Sequence, residues 1–460
     1  MKLSGKWILI GLLSGALSVA GCGDDDGGGG GTDSGPGTDS GGGDDDAGGG
    51  DDDAGPMRTE VMVDSNITSD TTWTADNIYI LNAQIFVTGA ELTIMPGTEI
   101  RGANDSNVLV VTTTGTINAV GTADDPIVFT STNPEGARQP SDWGGVVLLG
   151  RATINVTDGG GGTNTVEGLP PDAELGEYGG TDDSHNCGTM RYVRIEYAGF
   201  EFADNKEFNG LTVAGCGSDT TLEFIQVHAG SDDGIEFFGG SADLKWAVIT
   251  RAQDDSLDTD EGYSGRIQFL IVMQDLGGDE GMEADNLEDF ENNTPRSNPT
   301  IYNGTWISGG GDGQKGLRLR RGTAGTIANS IIYNAMMDDC IEVKDNETVE
   351  QANSGALTIT NNMLFNCGNG EVGINVEPDD ESPVTFTGDF DSVNDYDMDP
   401  MLPEINLTNP NFAPPAESPA ASGAVAPPSD DFFENVTYRG AIEPGGTDWT
   451  AGWTTYPEFE

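Results

Sequence analysis

From Glu60 onward, short runs of alternating apolar and polar residues recur between glycine and aspartate turns, and no long 3.6-residue period appears. Leu92-Thr93-Ile94, Val108 to Val111, Ile127-Val128-Phe129, Val146 to Leu149, Tyr192 to Ile195 and Thr358-Ile359-Thr360 are such runs. They predict many short strands, too short and too regular for an ordinary sandwich of this length. Seven segments then align without gaps, centred on Leu211, Ile235, Leu257, Met282, Leu317, Ile341 and Ile374, which are separated by 24, 22, 25, 35, 24 and 33 residues. Four of these steps are one coil. The two long ones carry extra loops near Asn286 to Pro299 and Thr348 to Gly355. A strand, a turn and an inward apolar row at this period predict an all-β parallel β-helix, a solenoid whose coils bury their inward side chains only by stacking.

The same alignment places charged residues in columns. With Ile235, Leu257 and Met282 inward, Glu236, Asp258 and Glu283 point outward one above another, about 4.8 Å apart. Asp260 and Asp285 make a second column, and Asp233, Asp255 and Glu280 add carboxylates at the preceding turn. Like charges at that spacing repel by roughly 3 kcal/mol per pair at an effective dielectric near 20. Arg318 and Arg320 fall in the same two columns one coil later, and Glu342 and Lys344 one coil beyond, which sets Arg318 between Glu283 and Glu342. The carboxylates around Glu236, Asp258 and Asp260 have no such partner. Ca²⁺, a hard cation satisfied by clustered oxygens, is the expected neutraliser, held by Asp233, Glu236, Asp255, Asp258, Asp260, Glu283 and Asp285. The alternative is a solvated acidic face.

The chain carries a formal charge of −59. Its N-terminus accounts for little of this. Lys2 and Lys6 precede an apolar stretch from Trp7 to Ala20, too short to span a bilayer and shaped like a secretory signal. Leu17-Ser18-Val19-Ala20-Gly21-Cys22 resembles the lipobox of bacterial lipoproteins, which implies lipidation of Cys22 after removal of residues 1–21. Residues 22–56 then form a disordered tether, almost wholly Gly, Asp, Ser and Thr, unable to build a core. Without the tether's eleven aspartates and the two signal lysines, 67 acidic residues still face 17 basic ones. Such a surface excludes nucleic acid as a partner and attracts cations. A bacterial envelope location follows, anchored to membrane by lipid at the outer membrane or cell surface.

Cys187, Cys216, Cys340 and Cys367 are an even set in an exported chain. Their order suggests Cys187 with Cys216 and Cys340 with Cys367, each pair about one coil apart, although four cysteines permit three pairings. A zinc site lacks CxxC spacing and has only His185 and His228 to draw on.

Leu92-Thr93-Ile94-Met95-Pro96-Gly97-Thr98, Gly121 to Ser131, Asp142-Trp143-Gly144-Gly145, Tyr178 to Asp183, Tyr438-Arg439-Gly440-Ala441 and Trp449 to Thr454 resemble a group of secreted bacterial right-handed β-helix proteins. The resemblance implies the fold over residues 57–399 and names no activity. Asp338-Asp339-Cys340-Ile341 is similar to the Gly-Asp-Asp-Cys strand of polygalacturonases, which implies paired carboxylates for hydrolysis, with Asp254 and Asp255 at the equivalent place. That family's Gly-His-Gly and Arg-x-Lys elements are missing here. The leading expectation is therefore a binding, adhesion or structural module for a polysaccharide or surface protein. A polysaccharide hydrolase or lyase using Asp and Glu is the alternative. Asp389, Asp391, Asp395, Asp397 and Asp399 read as a solvated loop. Residues 400–460 begin as a Pro-rich strap and end in an aromatic tail expected to cover the open end of the solenoid.

Overall fold

In this computed structural model the described residues are 58–459, apart from 105, 171–174, 204–205, 369–372, 397 and 404–405. Cys22, the signal and the tether lie outside them. No helix among the described residues is long and apolar enough to cross a membrane.

Each coil contributes three strands, and the strands stack in parallel into three faces. Face I runs from Thr71–Trp73 and Glu91–Ile94 up to Gly325–Ala328 and Leu357–Thr360. Face II runs from Thr59–Val63 and Asn77–Leu81 up to Met363–Phe365 and Asp395–Tyr396. Face III runs from Ile85–Val87 and Val108–Val111 up to Ile341–Lys344 and Ile374–Glu377. Leu211, Ile235, Leu257, Met282, Leu317, Ile341 and Ile374 stand in one continuous register on face III, as the sequence alignment expects. All but Ile374, which is 8% exposed, are fully shielded from solvent. Burial of each such side chain contributes roughly 1.5–3 kcal/mol. Immediately before this row the chain is tight. A Cβ on Gly234 would come 2.5 Å from the Ser256 carbonyl oxygen, and one on Gly281 would come 2.4 Å from that of Gly316.

The long strands Gly188–Glu196, Thr221–His228, Asp243–Thr250 and Arg266–Met273 each serve faces I and II and bend between them. The bend falls on Tyr192, Phe224, Trp246 and Phe269, all at positive φ between 50° and 59°. Asn303, Asn329 and Asn361 take the same corner in later coils, also at positive φ. Asparagine adopts this left-handed conformation readily, whereas an aromatic residue does so at a cost. Stacking offsets it: successive rings lie 4.4 Å, 4.7 Å and 6.0 Å apart, close to the strand spacing.

Both inferred disulfides form, Cys187 with Cys216 and Cys340 with Cys367. Two expectations are corrected. The insertion near Thr348 to Gly355 is not a loop but the helix α1, Asn346–Ser354. Asp345 caps it by accepting from the Thr348 backbone N–H at 2.8 Å, and Gly355 ends it at φ 77°. Val349 and Ala352 of α1 join the main core. The aromatic tail, in turn, leaves the end of the solenoid and lies along its corner. One leg passes Asn361, Asn329 and Gln268, whose side chains bond the backbone of Gly423, Val425 and Glu434. The chain then turns back so that Asn303 donates to the Tyr438 carbonyl, and a second leg runs to Gln226 and His228, which hold Thr455 and Pro457. Trp453 packs edge-on against Tyr192 and Phe224. Exposed aromatic and backbone groups on the corner offer the tail more burial than the short end of the stack does. At that end, Phe386 and Phe390 stack on each other, and Phe390 closes onto the core.

Trp453 is 1% exposed, so Trp453→Ala is expected to cost roughly 3–5 kcal/mol and to release the tail to protease before the solenoid unfolds. Denaturant titration with timed proteolysis checks this; unchanged tail protection would show that the legs are held elsewhere.

Candidate functional site

The outward row of face III changes character along the stack. Its early members, Phe86, Val108, Val110, Val147 and Leu149, are apolar and are covered by Ile154, Val166, Leu169 and Tyr178 from the insertion that follows. The next coil presents Thr212 with Ala214, and those after it Glu236 with Phe238, then Asp258 with Asp260, then Glu283 with Asp285. After them come Arg318 and Arg320. The stacking of the carboxylates is therefore as expected, but they do not form an open solvated face. They floor a groove of about 580 Å³.

Three walls enclose it. An antiparallel hairpin pairs Asn164–Thr165 with Glu177–Tyr178 at the end near the apolar row. Asn164 Nδ2 and the Tyr178 hydroxyl donate to the two carboxylate oxygens of Glu261 at 2.7 Å and 2.8 Å, fixing that wall to the groove floor. The segment Leu287 to Phe290 forms a second wall. It is anchored by Asn286, which donates to the Glu291 and Asn293 carbonyls, and by Arg321, which pairs with Glu288 at 3.0 Å. The third wall is a rung of cations. Arg318 Nη1 lies 2.9 Å from Glu280 and its Nε 2.8 Å from Glu342. Arg320 pairs with Glu283 and Asp285, and Arg321 reaches Asp285 at 2.6 Å.

These pairs divide the residues singled out from sequence. Glu283 and Asp285 are neutralised by arginine, so Asp285 is not a free oxygen donor for a cation. No ion pair joins Asp233, Glu236, Asp255, Asp258 or Asp260 to a cationic side chain among the described residues. One oxygen from each of Asp233, Glu236 and Asp258 lies within 4.8 Å of the others, and the same holds for Asp255, Glu280 and Glu283. Asp254 joins Asp232 and Asp233, and also Asp255 and Asp279, in similar groups at the open side. Asp233 and Asp255 each spend one oxygen on the fold, accepting the backbone N–H of Asp255 at 3.0 Å and of Glu280 at 2.7 Å.

Burial, with Asp232 and Glu236 next in effect, holds the Asp233 carboxyl well above its ordinary range. Burial likewise raises Asp258, helped by the charges of Glu236 and Glu283, and Asp255, helped by Glu283 and Glu280. Asp260 is pushed up to about 8 by burial and by Asp285. A carboxylate set that resists ionisation in this way is one that lacks a counter-charge.

Asn209 stands two residues before Leu211, in the same turn column as Asp233 and Asp255, and is absent from the expected ligand set. It lines the groove, is 4% exposed, and donates its amide to Glu236. Because a carboxylate only accepts, the amide oxygen must face the other way, and Asn209 Oδ1 is buried without a hydrogen-bond partner. Asp258 Oδ1 is in the same condition. The grouped carboxylates thus present hard oxygen donors only, Asp258 Oδ1 buried and unsatisfied among them, a set that fits a Ca²⁺-class ion. Tyr178 and Asn164 come from an insertion outside the repeat and carry no periodic signal, whereas Glu261 directly follows Asp260 on its coil and gains its role only from that insertion.

Asp338 and Asp339 lie beyond the cation rung and do not enter the groove. Asp338 approaches Lys315 at 3.6 Å, and Asp339 accepts from Asn375 at 2.9 Å. Of the two Asp-Asp pairs, only Asp254 and Asp255 line the site. In the later acidic cluster, Asp389 is exposed and Asp395 pairs with Arg439. His185 and His228 are apart from the groove; His228 is buried against Thr250 and Pro457, and burial lowers it to about 4.

Among solved structures, the chain is similar to a pectate lyase, Pel9A, at 11% identity and a TM-score of 0.37, over 78% of this chain and 88% of that one. It is also similar to an alginate lyase from Paenibacillus sp. str. FPU-7, at 14% identity and a TM-score of 0.28, over 72% and 98%. No curated protein matches. The family model described as a pectate-lyase-like β-helix domain matches residues 65–398, which holds the whole stack of face III and the groove on it. The chain belongs to the family of pectate-lyase-like β-helix domains.

Proposed function

We propose that this protein acts on an acidic polysaccharide, held in the face III groove through a divalent cation of the calcium class, and cleaves it by elimination. One observation carries the proposal: Asp233, Glu236, Asp255, Asp258 and Asp260, from successive coils, line a walled groove with no ion pair to a cationic side chain among the described residues. Asp233, Glu236 and Asp258 are the donors to the cation, and the Asn209 amide holds Glu236 in place. A bound cation would neutralise a uronate carboxylate and so let an acidic groove take an anionic chain, which the groove alone would repel. Asp254 stands at the open side, its carboxyl raised by burial and by Asp279, and is the residue placed to exchange a proton with substrate. Family membership favours this order over the binding module that leads from sequence. One observation favours binding without cleavage: Arg318, Arg320 and Arg321 are all locked in ion pairs and cannot serve as bases. Export as a lipoprotein anchored at Cys22 in the cell envelope completes the proposal; labelled palmitate should enter the wild-type chain and not Cys22→Ser.

Release of unsaturated uronide from polygalacturonate and alginate tests the chemistry. Turnover is expected only with Ca²⁺, and Asp254→Asn should lower kcat by about 10²–10⁴-fold with its fold intact. Calcium-dependent binding without any turnover would leave the binding module.

Stability gives a separate check of the cation. Each raised carboxyl keeps its proton to higher pH when folded than when unfolded. Its stabilising contribution is complete below the unfolded value near 4 and is lost as pH rises through the folded value, about 8 for Asp260. In chelator, the melting temperature should therefore fall between about pH 5.5 and about pH 8.5, and Ca²⁺ should restore it at the higher pH. A melting temperature indifferent to Ca²⁺ at both values would remove the cation from the proposal.

A further inference from the structure

We infer that the groove is blind, so that it accepts the end of a polysaccharide chain or a short oligosaccharide and not the interior of a long polymer. This rests on the proposal that the groove takes an acidic polysaccharide. A polymer following the carboxylate column Glu236, Asp258, Glu283 would have to continue past both ends of it. At one end it meets Tyr178, which is 2% exposed, packed on Phe238 at 6.0 Å and bonded to Glu261. At the other it meets Arg318 and Arg320, drawn across the face by Glu280, Glu283, Asp285 and Glu342. A polymer crossing the column at right angles meets the segment Leu287 to Phe290 on one side. On the remaining side stand Asp232 and the exposed Asp254.

The size agrees with this. A volume of about 580 Å³ lies within the range of small-molecule pockets, roughly 300–1,000 Å³, and covers only the coils between two walls. Phe290 is 61% exposed at the rim, an apolar ring placed where a sugar face entering from the open side would pass. The walls are not incidental loops. The hairpin is tied to Glu261 by both of its oxygens, and the Leu287 to Phe290 segment is held through Asn286 and Arg321.

The test uses the full chain with Ca²⁺ and polygalacturonate or alginate, intact and partly depolymerised to known mean lengths. Calorimetric stoichiometry is measured at equal sugar mass. If the groove is blind, binding sites scale with the number of chain ends, so tenfold shorter chains bind about tenfold more protein. Any turnover should release short products with little early loss of viscosity. Sites proportional to sugar mass, or a rapid fall in viscosity with products of mixed length, would overturn the inference and leave the substrate proposal standing. No binding of polymer or oligosaccharide with Ca²⁺ would overturn both. The double variant Asn164→Ala, Tyr178→Phe removes the hairpin's bonds to Glu261 while keeping the ring in place. With its far-ultraviolet spectrum unchanged, it should shift stoichiometry on intact polymer from chain ends toward sugar mass; an unaltered end dependence would show that this wall is not what closes the groove.

Discussion

Register between coils is the constraint from which the rest of the molecule follows. Backbone hydrogen bonds hold each coil a fixed distance from the next, so whatever side chain a position carries is repeated above and below it. For inward positions this is favourable at once, because apolar groups stack on apolar groups. For outward positions it creates a demand that sequence must answer column by column. The corner column answers with stacked rings and then asparagines. The outward column of face III answers first with apolar groups under an insertion, then with carboxylates, then with arginines. Where it answers with carboxylates and no cation, burial and mutual repulsion raise the carboxyls above their ordinary range.

Much of this was readable before any coordinates. The period of about two dozen residues, the inward row from Leu211 to Ile374, the disulfide pairing and the seat of Arg318 between Glu283 and Glu342 all depend on nearest-coil relationships that an ungapped alignment captures. What escaped were contacts made by segments outside the repeat. Nothing in Asn164, Tyr178 or Leu287 to Phe290 signals that they return to face III, because a loop's destination is set by tertiary packing and not by its own periodicity. Hence the sequence predicts the stacked carboxylates but not the walls that make a groove of them. Asn209 is the instructive case in between: its column was known, but an uncharged residue among acids did not register as a donor.

Helix α1 and the tail were missed for two further reasons. The segment Asp345 to Gly355 has a cap at each end, yet its apolar content is too low for a periodic signal, and only Val349 and Ala352 reach the core. The aromatic tail is expected at the open end, but a solenoid offers two kinds of exposed surface, its ends and its corners. The rings of Tyr192, Phe224, Trp246 and Phe269 lie in strands that alternate well, so their left-handed backbone and outward stack could not be foreseen from pattern alone.

The cation rung has one more consequence. Because the hairpin wall and the arginines belong to different coils, the distance between them is a whole number of windings. Groove length in this fold is thus a quantised property: a winding inserted between Gly262 and Glu280 would lengthen the floor by one tier, with the hairpin still on Phe238 and Glu261 and the arginines still on Glu283 and Asp285. Evolution or design could adjust groove length here by counting turns.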